Sequence, residues 1–144
     1  MEEDGSGLDT MLVAFDPSLP ITALLGAYVA VLLFVLALRV IKLRRGREVS
    51  TGTGGLQVLE RATRGHANLA EWAPVALILC GIGELQGAPW WLLALTALVF
   101  AAGRVAHAYS FTREKEEFRW RARGMHMTLW PLLGFAVMAL GSLG

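Results

Sequence analysis

The sequence predicts an all-α membrane protein, an up-down bundle of four transmembrane helices. Three observations lead there. Hydrophobic residues fill 55% of the 144 positions and charged ones only 17%, whereas a soluble domain carries about a quarter charged residues to cover its surface. Leu19 to Leu38 is twenty residues without a charge, and about 20 residues at 1.5 Å each span the ~30 Å hydrocarbon core of a bilayer. Three more apolar stretches follow, and segments such as Val29 to Leu38 and Trp90 to Ala102 are apolar all round, without the polar stripe of a soluble amphipathic helix. The length suits one domain. A balance of 13 basic and 12 acidic residues leaves no excess of positive charge for nucleic acid.

Helices are expected at about 19–44, 57–86, 88–111 and 124–143, forming a single membrane domain over 19–144 behind an acidic tail, 1–18, expected to be disordered. The first is expected to stay in the mature protein and not to be a signal peptide. Glu2, Glu3, Asp4, Asp9 and Asp16 precede it with no basic residue, and the basic run Arg39, Lys42, Arg44, Arg45 and Arg47 follows it as a stop-transfer flank. The second is interrupted only by Glu71 near its start and Glu84 near its end. A short connection at Gln86, Gly87 and Ala88 makes the third antiparallel to it; the third carries Arg104 and His107. Pro74 and Pro131 fall inside the second and fourth, where they are expected to kink the helix or expose a carbonyl. Trp90 and Trp91 at one end, with Trp120 and Trp130 near the other, fit aromatic belts at the two interfaces. Twelve of the 13 basic residues fall in the two loops on one side, which places that side in the cytoplasm and both termini outside. Arg104 is the exception.

An ionisable residue within a membrane helix costs at least about 2.5–3.5 kcal/mol and is a functional candidate by default. Arg64, Asn68 and Glu71 are spaced i, i+4, i+7 and project from one face of the second helix, with Glu60 extending the row. Arg104, His107 and Phe111 form a similar stripe on the third. Both stripes belong to the cytoplasmic third of their helices, so they meet in a polar pocket whose mouth is ringed by Lys42, Arg44, Arg119, Arg121 and Arg123. One reading is structural: Glu71 and Arg104 neutralise each other and Asn68 joins helices by hydrogen bonds. The other is a site for an anion with several carboxylates and an amine, since the positive charge exceeds what one ion pair would use and two helices begin nearby. A small transporter is a third possibility, because intramembrane charges also mark substrate paths. Cys80 is alone, which permits no intramolecular disulfide, and the three histidines lack metal-ligand spacing.

With these residues in place, the sequence resembles the MAPEG family, the membrane-associated proteins in eicosanoid and glutathione metabolism, over about Leu25 to Leu140. ERATRGHANLAEWAP matches the family's Glu-Arg-x-x-Arg-x-His-x-Asn-x-x-Glu signature at Glu60, Arg61, Arg64, His66, Asn68 and Glu71. GRVAH at Gly103 to His107 is the second motif, and FRWRARGM from Phe118 to Met125 is similar to the short bacterial branch. The resemblance implies a homotrimer in a bacterial inner membrane, with glutathione as cosubstrate bound on the cytoplasmic side between subunits and a small lipophilic electrophile conjugated or reduced. It assigns Arg64, Asn68, Glu71, Arg104 and His107 to glutathione, adds Lys42 at the end of the first helix, and makes Arg123 the counterpart of the arginine that stabilises the thiolate. The chain departs from eicosanoid-type members in having His107, Phe111 and Trp72 at positions of tyrosine, and Gly124 where some have serine. These departures favour glutathione binding over eicosanoid turnover, and leave a non-catalytic glutathione-binding or scaffold protein as the alternative.

Overall fold

A computed structural model describes residues 18–111 and 118–141. Four helices follow one another: α1 (Pro20–Gly46), α2 (Gln57–Leu85), α3 (Trp90–Ser110) and α4 (Phe118–Gly141). Each is long and apolar enough to cross a membrane. The fourth starts six residues before the expected 124, so the segment from Phe118 to Arg123 is helical and its arginines point in fixed directions around α4. Trp130 consequently sits near the middle of α4 and not at its end, exposed on the outer face. The helices continue through Pro74 and Pro131. The expected acidic tail lies outside the described residues up to residue 17.

Local chemistry sets the ends. Pro20 opens α1 at a position where its missing N–H is no loss and its fixed φ suits a helix. Leu19, the residue before it, supplies no side-chain cap. That role falls to Glu84 at the far end of α2, whose carboxylate accepts from the backbone N–H groups of Ile21 and Thr22, both at 2.8 Å, and from Thr22 Oγ1 at 2.7 Å. A charge that looks out of place in α2 thus satisfies the exposed donors and positive dipole end of α1. Between α2 and α3 the chain reverses at Gly87, whose φ of 78° is a left-handed conformation natural to glycine. There Ala88 N–H donates to the Gly83 carbonyl at 2.9 Å and Gly87 N–H to that of Glu84 at 3.2 Å.

Neighbouring helices alternate in direction. Glu84 ties the end of α2 to the start of α1, and Gly83 lies against Met138 and Ala139 near the end of α4. Both α1 and α4 pack on α2 and α3 and, among the described residues, not on each other. Leu25, Val29, Ala73, Cys80, Phe100 and Phe135 lie in the core, where the rings of Phe100 and Phe135 meet at 6.5 Å and 59°, a tilted arrangement that aromatic quadrupoles favour. Small residues along α2, among them Ala73, Ala76, Cys80 and Gly83, let its neighbours approach. The outer faces are as apolar as the core: Leu24, Leu98, Trp130 and Val137 are about 70% exposed, from 68% to 73%. Such a surface belongs against lipid or other subunits.

The closest approach joins α3 to α4. A Cβ on Gly103 would come within 2.7 Å of the Met127 carbonyl oxygen, and one on Gly124 within 2.7 Å of the His107 backbone nitrogen. Only glycine fits at either position. At Gly124 the backbone of α3 occupies the space a side chain would need.

Candidate functional site

A cavity of about 830 Å³ opens where the start of α2, the end of α3 and the start of α4 converge. From α2 it is lined by Gln57, Glu60, Arg61, Arg64, Ala67, Asn68 and Glu71, from α3 and its cap by His107, Ser110 and Phe111, and from α4 by Phe118, Arg121, Ala122 and Met125. Glu60, Arg64, Asn68 and Glu71 share one wall because their spacing repeats with the helical turn. Three guanidinium groups and two carboxylates therefore border one half-open space, beside apolar and aromatic surface. Its volume is within the range of small-molecule sites, roughly 300–1,000 Å³.

Arg104 stands behind that wall. It is 1% exposed and does not line the cavity; instead its Nη2 donates to Asn68 Oδ1 at 2.8 Å and its Nη1 to Thr128 Oγ1 at 3.2 Å. Thr128 in turn donates to the Gly124 carbonyl at 2.8 Å. The pairing of Arg104 with Glu71 considered from sequence is not the one formed: both acceptors are neutral, and Glu71 is exposed on the cavity wall. The reason is the Gly103 and Gly124 contact, which brings α4 over the guanidinium and wedges it between α2 and α4. A buried cation with neutral partners raises the positive potential of the cavity through Asn68.

His107 is 4% exposed and its Nδ1 has no hydrogen-bond partner among the described residues, like Arg104 Nε. Its ring packs on Phe111 at 5.2 Å, and Arg121 covers the other part of Phe111 with its guanidinium 5.3 Å from the ring centre. This stack, His107 to Phe111 to Arg121, makes one side of the cavity and holds Arg121 by cation–π attraction. Two other arginines serve the end of α3. Arg61 donates to the Ser110 carbonyl at 3.3 Å and Arg39 to that of Phe111 at 3.4 Å, which satisfies free carbonyls at the negative end of the helix dipole.

Of the residues expected at the site, Arg64, Asn68, Glu71 and His107 line the cavity, and Arg104 reaches it through Asn68. Lys42 and Arg123 are outside it in this chain. Lys42 is exposed near the end of α1, and Arg123 is exposed with its guanidinium 5.6 Å from the ring centre of Trp120. Arg121 and Arg123 are about 200° apart around α4, so only one can face the cavity, and it is Arg121. Sequence reasoning missed the positions of Gln57, Ser110 and Thr128. The signal for Thr128 was present: Arg121, Gly124 and Thr128, spaced i, i+3, i+7, mark the inward face of α4.

Three guanidinium groups and two carboxylates beside apolar surface suit a ligand that carries both signs of charge. The sequence profile of the MAPEG family matches residues 22–141, a region that holds all four helices' inward faces and every cavity residue. The chain is 36% identical over 119 residues to inner membrane protein YecN of Escherichia coli K12, an alignment covering 83% of this chain and 88% of that protein. YecN of E. coli O6:H1 gives the same values. On the four-helix fold, the matched region and this relationship, the chain belongs to the MAPEG family.

Proposed function

We propose that the protein is a membrane glutathione transferase-like enzyme that binds glutathione in the cavity between α2, α3 and α4 and conjugates or reduces small lipophilic electrophiles. The mixed charge of the cavity carries this reading. Glutathione has two carboxylates, an ammonium and a thiol; Arg64, Arg61 and Arg121 can take the carboxylates in charge-assisted hydrogen bonds, and Glu71 or Glu60 the ammonium. Asn68, held by Arg104, presents its amide from a fixed position. The adjoining apolar surface of Ala67, Phe118, Ala122 and Met125 suits an electrophile arriving from the bilayer. A thiol with a pKa of about 8.5 is mostly protonated at neutral pH, and a neighbouring guanidinium favours the nucleophilic thiolate.

Lys42 and Arg123 fit this function in a homotrimer. Each is exposed outside the cavity of its own chain, the arrangement expected of groups that complete a neighbouring subunit's site, with Arg123 stabilising the thiolate there. The relatives' name and the four apolar helices support a bacterial inner membrane, with the arginine-rich end in the cytoplasm. A non-catalytic glutathione-binding protein is the second reading, favoured by His107 and Phe111 at tyrosine positions.

Isothermal titration of the detergent-purified protein with glutathione, followed by a thiolate difference spectrum and an assay with a chromogenic electrophile, tests the proposal. Saturable binding with thiolate absorbance and turnover is expected, and Arg123→Ala should abolish turnover while binding stays measurable. Binding without thiolate or turnover selects the non-catalytic reading; absence of binding removes glutathione altogether.

A further inference from the structure

A second, shallow and open cavity of about 380 Å³ lies where the chain turns back after α1. Ile41, Arg44, Arg45, Glu48, Val49 and Ser50 line it, and none of them borders the cavity described above. Its shape is set by hydrogen bonds. Arg47 and Val49 N–H groups donate to the Arg44 carbonyl at 3.2 and 3.1 Å, and Arg44 Nη1 reaches on to the Ser50 carbonyl at 3.2 Å. Glu48 occupies the left-handed region with a φ of 54°, a conformation that glycine adopts freely and a residue with a Cβ seldom does. Glu48 thus lines one cavity with Arg44 and Arg45, at a position where glycine would be less strained.

An apolar track leads to this cavity. Phe34, Leu38 and Ile41, at i, i+4 and i+7, share a face of α1 and are 64%, 49% and 44% exposed. Arg45, four residues beyond Ile41, continues the same face. The track lies on a helix long and apolar enough to cross a membrane, and it ends where basic residues meet the interface, a place where phosphate headgroups gather.

We propose that this groove binds one phospholipid whose headgroup carries both a phosphate and a primary ammonium, that is, a lipid of the phosphatidylethanolamine type. Its acyl chain lies along Phe34, Leu38 and Ile41, its phosphate meets Arg44 and Arg45, and its ammonium donates to Glu48. The carboxylate decides the headgroup. A glycerol headgroup brings no cation of its own to Glu48, and a choline headgroup brings one with no N–H to donate.

Native mass spectrometry of the full-length protein in detergent, with phosphatidylethanolamine, phosphatidylglycerol and phosphatidylcholine of identical acyl chains, tests the assignment. Phosphatidylethanolamine should be retained about threefold more than either of the others, the size of one partly exposed ion pair. Arg44→Ala with Arg45→Ala should lower retention of every lipid about tenfold or more. Glu48→Gln, an exposed change that leaves the core intact, should remove the headgroup preference while retention persists. Equal retention of the three lipids by the unaltered chain overturns the proposal, as does a preference for phosphatidylglycerol or one that survives Glu48→Gln.

Discussion

Arg104 has a buried positive charge and only neutral hydrogen-bond partners, Asn68 and Thr128. Removing an acceptor from a buried cation leaves the cation's desolvation uncompensated, whereas an exposed arginine would simply turn to water. Asn68→Ala should therefore destabilise the protein by about 1–3 kcal/mol, seen as a lower melting temperature by circular dichroism in detergent. Asn68→Asp should recover much of that loss by supplying a carboxylate at the same place. A melting temperature unchanged by Asn68→Ala would mean that Thr128 alone holds the guanidinium. The helical spacing of Arg64, Asn68 and Glu71 was legible in the sequence because one helix places them on one wall. The partner of Arg104 was not, since Asn68 and Glu71 are both on α2 near the right depth. What decides between them is the contact of Gly103 and Gly124, which are on different helices, and a contact between helices leaves no local trace in the sequence.

Single elements in this bundle are completed by their neighbours. The start of α1 has no capping side chain of its own and takes one from Glu84 of α2; the end of α3 takes Arg61 from α2 and Arg39 from α1. Four apolar segments and their antiparallel order could be read from hydropathy and loop length, but Glu84 reads in sequence only as a flaw in an apolar run. Its function appears when the second helix lies beside the first. Loss of a capping side chain costs about 0.5–2 kcal/mol in helices generally, and Glu84 accepts three hydrogen bonds. Glu84→Ala should lie at the upper end of that range by thermal denaturation, with fraying confined to the first turn of α1 in hydrogen exchange. Glu84→Gln, which keeps one acceptor oxygen, should lose less. Uniform exchange along α1 in Glu84→Ala would show that the cap does not act locally. The cavity around the first half of α2 should keep its affinity for the proposed ligand in both variants.

For the whole molecule the decisive quantity is which end faces the cytoplasm, because both cavities are at the arginine-rich end. Counting basic residues predicts that this end faces inward, and the fold gathers Arg39, Arg44, Arg61, Arg64 and Arg121 there from α1, α2 and α4. The orientation has chemical consequences. Glutathione keeps thiols reduced in the cytosol, so a cavity facing inward would meet the proposed cosubstrate and one facing outward would not. Cys80 is buried and is the single cysteine in the sequence, so a Cys80→Ala background permits one reporter thiol at a time. Thr51 lies exposed in the loop after α1 and Gln86 exposed at the turn after α2, at opposite ends of the bundle. In intact cells a membrane-impermeant maleimide should label Gln86→Cys at once and Thr51→Cys only after permeabilisation. The reverse pattern would turn the cavity outward and remove the supply of reduced thiol on which the proposed activity depends, and would place the proposed lipid groove at the end of α1 in the other leaflet.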